Sequence, residues 1–357
     1  MKKIGAVLFL FVLILIGVFS GYNYKKQVLV QTKEFSQKID SFPPSQSLSK
    51  RKPILLEMDR FVQDNFPYNN PEGLIVYTWR FSPLFSFFNL RLEKAIGEIK
   101  ASQPTKNEIF LWYIYNMGVI IKSENTTVGV DLGQEWLSPK LTKLADLVDL
   151  LIYSHPHPDH LSLKLARRAT ENGIPIVLPS GVVGREAFYG ERSGEKTMNM
   201  AEAVAKFAKI KNKKLIIEMA PGETKTIKGV EITAYPATHR GPEHLRSTPT
   251  RWFYFEIANT RFLQTDDAEP KETPLSYFSN KVDVLFTAQP RINPEQILTI
   301  NPQITLPLHH HELGHGKDSC RNNLSDYVRL AEEVEKQKPE IEVIPLIWGE
   351  KIRIATK

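Results

Sequence analysis

The hydrophobic pattern changes character twice along the chain, after residue 24 and again near residue 107. After Lys2 and Lys3, residues Ile4 to Tyr24 carry no charge and are rich in Leu, Ile, Val and Phe. As a helix this stretch would be roughly 30 Å long, enough to cross a hydrocarbon core. The apolar run is long for a secretory signal and lacks an A-x-A site; Val18 and Ser20 offer only a weak one. Residues 1–24 therefore predict an uncleaved membrane anchor, with a cleaved signal peptide as the rival. Lys25 and Lys26 oppose Lys2 and Lys3 across it, and a short N-terminal tail that stays inside would make the rest of the chain extracytoplasmic.

Residues 25–106 predict a helical appendage interrupted by Pro43-Pro44, the Ser-rich stretch SQSLSK and the turn-like NNPEG. Within it, Trp79 to Phe88 is dense in aromatic residues beside Arg80. That density suits either packing onto a main domain or contact with lipid. From 107 to 357 the pattern is that of alternating strands and helices. Ile109–Tyr115, Gly118–Lys122 and Thr127–Leu132 read as consecutive strands, with turns at Asn116-Met117 and Glu124-Asn125. The apolar run Leu147–Tyr153 is another strand, Leu161–Asn172 a helix stopped at Gly173, and Ile174–Leu178 and Leu215–Met219 short buried strands. Val230–Tyr235, Arg251–Ile257, Arg261–Leu263 and Ile304–Leu308 complete the series.

At 357 residues, 42% hydrophobic and 24% charged, the chain accommodates one large domain with an appendage. A formal net charge of +6 suits an anionic substrate or surface without demanding nucleic acid. No zinc-finger, RRM-like or helix-turn-helix pattern occurs, so nucleic acid is not an expected partner. A lone Cys320 rules out an intrachain disulfide and a cysteine metal site of the finger type.

The chemistry concentrates in S-H-P-H-P-D-H-L, Ser154 to Leu161, which places His155, His157, Asp159 and His160 directly after the apolar run. Imidazole is the commonest transition-metal ligand, and a neighbouring carboxylate suits a Lewis-acidic divalent ion. An H-x-H spacing in extended chain sets both rings on one side. Pro156 and Pro158 fix φ between the ligands and reduce the entropy lost on ordering them. The bland reading is a Pro/His-rich surface turn. All nine histidines lie between 155 and 315, and such clustering is not expected of scattered structural histidines.

This segment resembles the H-x-H-x-D-H signature of the metallo-β-lactamase-fold hydrolases, and the likeness extends from about Asn107 to the C-terminus. It implies an α/β fold, an αβ/βα sandwich of two mixed sheets with outer helices and the site at one sheet edge. By the same resemblance His155, His157 and His239 hold one ion, Asp159, His160 and His309 a second, and Asp266 bridges them. His244 competes with His239, and Asp267 with Asp266. His310, His311 and His315 become supporting, substrate-side or merely exposed residues. Asp131 stands where the family carries an aspartate that buttresses the metal loop.

The implied reaction is hydrolysis by a water shared between two divalent ions, with Asp159 as catalytic residue orienting it and passing a proton to the leaving group. Zinc fits the N/O ligand set best; Mn and Fe also accept it. The glycine-rich tRNA-binding arm of the tRNA-processing members is absent. The ligand regions look more like the branch containing N-acyl-phosphatidylethanolamine phospholipase D. Asn116-Met117-Gly118 departs from that branch's frequent Gly-His pair, and HHHELGHG replaces its H-W-G-T. The expectation is a membrane-anchored hydrolase of a phosphodiester in a lipid-like substrate, with the bilayer as partner. Lactone, lactam or other ester hydrolysis, or a non-catalytic metal-binding assembly or resistance factor, are the alternatives.

Overall fold

The computed structural model describes residues 26–65, 82–189, 197–240, 246–265, 267–288, 293–311 and 322–356. The hairpin Glu108–Tyr115 and Gly118–Lys122 is buried almost throughout, because both of its faces are covered. It belongs to a seven-stranded sheet ordered Lys351–Ala355, Glu108–Tyr115, Gly118–Lys122, Thr127–Val130, Leu150–Ile152, Ile176–Pro179, Ile216–Met219. The first four of these pair antiparallel and the remainder parallel.

The second sheet repeats that plan. Ala268–Pro270, Val230–His239, Pro249–Ile257 and Thr260–Gln264 pair antiparallel. Val284–Ala288, Ile304–Leu308 and Glu342–Val343 then continue it in parallel. The apolar inner faces of both sheets, including Val128, Ile152, Phe253, Phe255, Phe262 and Phe286, share one core. Trp252, Leu263, Leu285 and Ile300 form a second core on the outer face of the second sheet. This is the αβ/βα sandwich expected from the sequence. In open α/β sheets the carboxyl ends of parallel strands are where ligands gather, and here Val130, Ile152, Gln264 and Leu308 are such ends.

Helices cover the outside. Leu163–Glu171 starts at Ser162, whose hydroxyl accepts the Leu165 N–H at 3.1 Å, and turns Leu165, Ala166 and Ala169 inward. Three helices precede the sheets: 26–40, Leu48–Asn65 and Pro83–Ala101. Arg51 on the second donates to both oxygens of Glu350, at 2.7 and 2.6 Å, and to the Pro345 carbonyl. Arg91 on the third donates from Nε to the Trp348 carbonyl at 2.8 Å. Gly349 is obligatory there, since a Cβ would lie 2.6 Å from the Arg91 carbonyl oxygen and its φ is +74°.

Two expectations need correction. The transmembrane anchor over residues 1–24, and the membrane localisation with an extracytoplasmic domain drawn from it, are not supported. Among the described residues no helix is long and apolar enough to cross a membrane. Residues 1–24 themselves lie outside the described residues. The helix that follows, 26–40, is amphipathic: Val28, Phe35 and Ile39 are buried while Lys33, Glu34 and Lys38 are exposed. Its Phe35 stacks on Phe61 and meets Phe87 at a ring separation of 5.4 Å, so its apolar stripe is spent on protein.

Candidate metal centre

The signature loop leaves the first sheet at Ile152 and passes over the end of the second. Its path is fixed by close approach. Gly133 lies so near the loop that a Cβ would sit 2.2 Å from the Asp159 carbonyl, and the Gln134 N–H donates to the Pro158 carbonyl at 2.7 Å. His155, His157 and His239 each bring a ligand nitrogen into one group whose atoms all lie within 4.8 Å of one another. Asp159, His160, Asp267 and His309 form a second group of the same tightness. The two adjoin, with the His155 and His160 ring centroids 4.1 Å apart.

The sequence therefore placed His155, His157, Asp159, His160, His239 and His309 in positions that the fold brings together. Among the described residues the carboxylate that joins them is Asp267. The sequence reading preferred Asp266, which lies outside the described residues, as do His244 and His315. Strand register explains the position of Asp267. Ala268 pairs with His239, and Arg240 N–H donates to the Asp267 carbonyl at 3.1 Å, which sets Asp267 at the edge of the cluster. His310 and His311 turn away from the cluster and are buried.

Hydrogen bonds orient the rings. Asp131, at a left-handed φ of +44°, accepts the Ser154 N–H at 2.8 Å and the Ser154 hydroxyl at 2.7 Å. Because that hydroxyl gives its proton to Asp131, it accepts from His155 Nδ1 at 3.0 Å. His160 Nδ1 lies 3.1 Å from the same carboxylate and donates to it. Both rings are thereby held in the Nδ1–H tautomer, and their Nε2 lone pairs face the cluster. Gln264 donates to Asp131 as well. On the other flank, the Asn116 carboxamide donates to Asp159 Oδ2 at 3.2 Å, and its backbone carbonyl accepts the His309 N–H at 2.8 Å.

Electrostatics agree with a cation-binding site. Burial, followed by the neighbouring rings of His155 and His239, holds His157 well below the ordinary imidazole range, so its lone pair is available at neutral pH. Burial alone would push the Asp159 carboxyl up. His160 first, then His309, outweigh it and keep Asp159 ionised. His157 Nε2 is buried and makes no hydrogen bond among the described residues, which a bound cation would remedy. Five imidazoles and two carboxylates in two adjoining groups fit divalent ions of the first transition row.

Gln264 is not singled out by the sequence, and Asn116 reads only as a turn residue and as part of the Asn116-Met117-Gly118 departure, with no role at the site. Nothing in the neighbourhood of Asn116 points to Asp159, 43 positions later. Gln264 left only a faint trace, as the polar residue that follows Phe262 and Leu263 at the end of the strand Thr260–Gln264.

Fold and cluster together are those of a metallo-β-lactamase-type sandwich with a candidate binuclear metal centre. The family model described as the beta-lactamase superfamily domain matches residues 127–286, so over this stretch the chain is similar to that superfamily. No curated protein matches the chain in sequence. Among solved structures it is similar to Igni18, a metallo hydrolase from Ignicoccus hospitalis, with 14% identity, TM-score 0.49, and coverage of 70% of this chain and 100% of that one. The metallo-beta-lactamase fold protein YhfI from Bacillus subtilis gives 17% identity, TM-score 0.46, and coverage of 70% and 100%. The diiron β-hydroxylase CmlA from Streptomyces venezuelae gives 15% identity, TM-score 0.48, and coverage of 71% and 55%.

Proposed function

We propose that the protein hydrolyses a phosphodiester at a binuclear centre. His155, His157 and His239 would hold one ion, and Asp159, His160, Asp267 and His309 the other. The observation that carries this reading is the adjacency of a three-histidine group and a group of two histidines and two aspartates. When bound, two divalent ions supply an activated water and clamp the attacking and leaving oxygens of an in-line displacement. Zinc is the ion we favour on ligand type.

The chain's own residues do the rest. Asp159 is buried, kept ionised, and 3.1 Å from His160 Nε2. It is placed to orient the attacking water and to carry a proton to the leaving group. Asp131 and Asn116 fix the rings and the carboxylate before substrate arrives, so little reorganisation remains for the reaction step. The lipid-like substrate expected from the aromatic stretch finds no support in Phe87 and Phe88. Both are fully buried, packed against Phe35, Phe61, Tyr115 and Trp348.

The test is turnover by zinc-loaded protein of bis(p-nitrophenyl) phosphate, a γ-lactone and a long-chain phospholipid, side by side. Hydrolysis of the small diester, abolished by Asp159→Ala, is the expected result. Lactone cleavage without diester cleavage would replace the reading by lactone hydrolysis.

A further inference from the structure

The last ligand strand runs into three consecutive histidines, and the third is tied to the appendage. His311 Nε2 lies 2.7 Å from Oδ1 of Asp59, on the helix Leu48–Asn65 and 252 positions earlier in the chain. The same carboxylate accepts the backbone N–H groups of Leu324 and Ser325, at 2.7 and 2.8 Å, the first turn of helix Leu324–Gln337. His311 Nδ1 meets His310 Nδ1 at 3.1 Å, and His310 Nε2 donates to the Leu346 carbonyl at 2.7 Å. Asp59, His310 and His311 are all buried.

This network closes on the ligand His309. The His311 N–H donates to the Asn322 carbonyl at 3.0 Å, and Asn322 Nδ2 donates to the His309 carbonyl at 3.1 Å. His309 and His311 both carry positive φ, +70° and +51°, a conformation that non-glycine residues keep only where the surroundings enforce it. Removing a carboxylate and an imidazole from water costs several kcal/mol before pairing offsets it. An apolar pair would hold the helix as well. What the polar pair adds is direction: it fixes the backbone of 309–311 and with it the approach of His309 Nε2 to Asp159 and Asp267, 3.6 and 3.4 Å away.

We propose that Asp59 is a positioning residue for the second metal pocket, acting through His311 on the angle of His309. The inference rests on the binuclear reading above. It gives the appendage, which lies outside the matched residues 127–286, a share in building the centre.

The experiment measures both stepwise Zn²⁺ affinities of the full-length chain by chelator-buffered dialysis and elemental analysis, for the unaltered protein, Asp59→Asn and Leu55→Ala. Leu55 is fully buried on the same helix and serves as a packing control. Asp59→Asn is expected to keep the tighter, three-histidine affinity and to weaken the second by about 10–100-fold. Leu55→Ala should lower the melting temperature and leave both affinities in place. If Asp59→Asn does not fold, Asp59→Ala with His311→Leu removes both partners, leaves no lone buried charge, and carries the same expectation. Unchanged affinities in the Asp59 variants, or a parallel loss at both sites, overturn the proposal. An unaltered chain that takes up fewer than two ions overturns the binuclear reading itself, and this inference with it.

Discussion

Asn116 reaches Asp159 across the mouth of the first sheet, its carboxamide nitrogen 3.2 Å from Oδ2 and 3.3 Å from the Asp159 carbonyl. A carboxamide N–H can only donate, so it favours the ionised carboxylate and holds it toward His160 and His309. Replacing Asn116 by Ala should weaken metal binding in the Asp159 pocket by about 10–100-fold, the usual effect of losing a partner of a ligand. The three-histidine pocket should be spared. Metal titration followed by elemental analysis reads the difference, and equal weakening at both pockets would mean that Asn116 serves only the turn.

Asp131 has a wider reach. It contacts His160 directly and His155 through Ser154. Asp131→Asn puts an amide group where the Ser154 hydroxyl and the His160 ring both donate, so both rings lose their orientation. Loss of metal from both pockets is expected. Ser154→Ala, which touches only the His155 arm, should affect the three-histidine pocket alone. Zinc content of the two variants after dialysis against a mild chelator checks this.

The sandwich and six of the seven cluster residues were legible because both rest on local pattern. Strand alternation and buried apolar runs marked Glu108–Tyr115 and Ile304–Leu308 to within a residue, and Val230–His239 from its first residue but four short of its end. The H-x-H-x-D-H run carries its ligands on one short loop. What sequence could not show depends on long-range register. The contact of Asn116 with Asp159 and that of Asp59 with His311 span 43 and 252 positions, and no periodicity encodes them. The choice between Asp266 and Asp267 is of the same kind, since it depends on Ala268 pairing with His239. The membrane expectation rested on the hydropathy of residues 1–24 alone, a run outside the described residues, and no helix among the described residues is long and apolar enough to cross a membrane.

Asp267 is therefore the aspartate to test. Its Oδ2 lies 3.4 Å from His309 Nε2, and it is the carboxylate grouped with Asp159, His160 and His309. Asp267→Ala should lower turnover by orders of magnitude and reduce bound metal, since it removes a ligand and leaves His309 without that neighbour. Asp266→Ala should do much less. Steady-state rates with elemental analysis on both variants decide the matter, and a larger loss in Asp266→Ala would return the bridging role to that residue.

The last prediction concerns the aromatic stretch. Phe87 is fully buried, 5.4 Å from Phe35, 5.2 Å from Phe61 and 6.2 Å from Trp348 by ring centroids. These rings join three appendage helices to the segment that Arg51 and Arg91 also hold. Removing a buried phenyl ring destroys apolar contact and leaves a cavity, a loss of about 3–5 kcal/mol. Phe87→Ala should accordingly lower the melting temperature by many degrees, measurable by calorimetry. A ring engaged in acyl-chain binding would instead weaken turnover of a long-chain phospholipid much more than turnover of a small diester, because remote binding energy is lost only for the longer substrate. Burial predicts equal proportional losses on both substrates, assayed below the variant's melting transition. A selective loss on the phospholipid would show that Phe87 meets substrate, and would restore the lipid reading that its packing argues against.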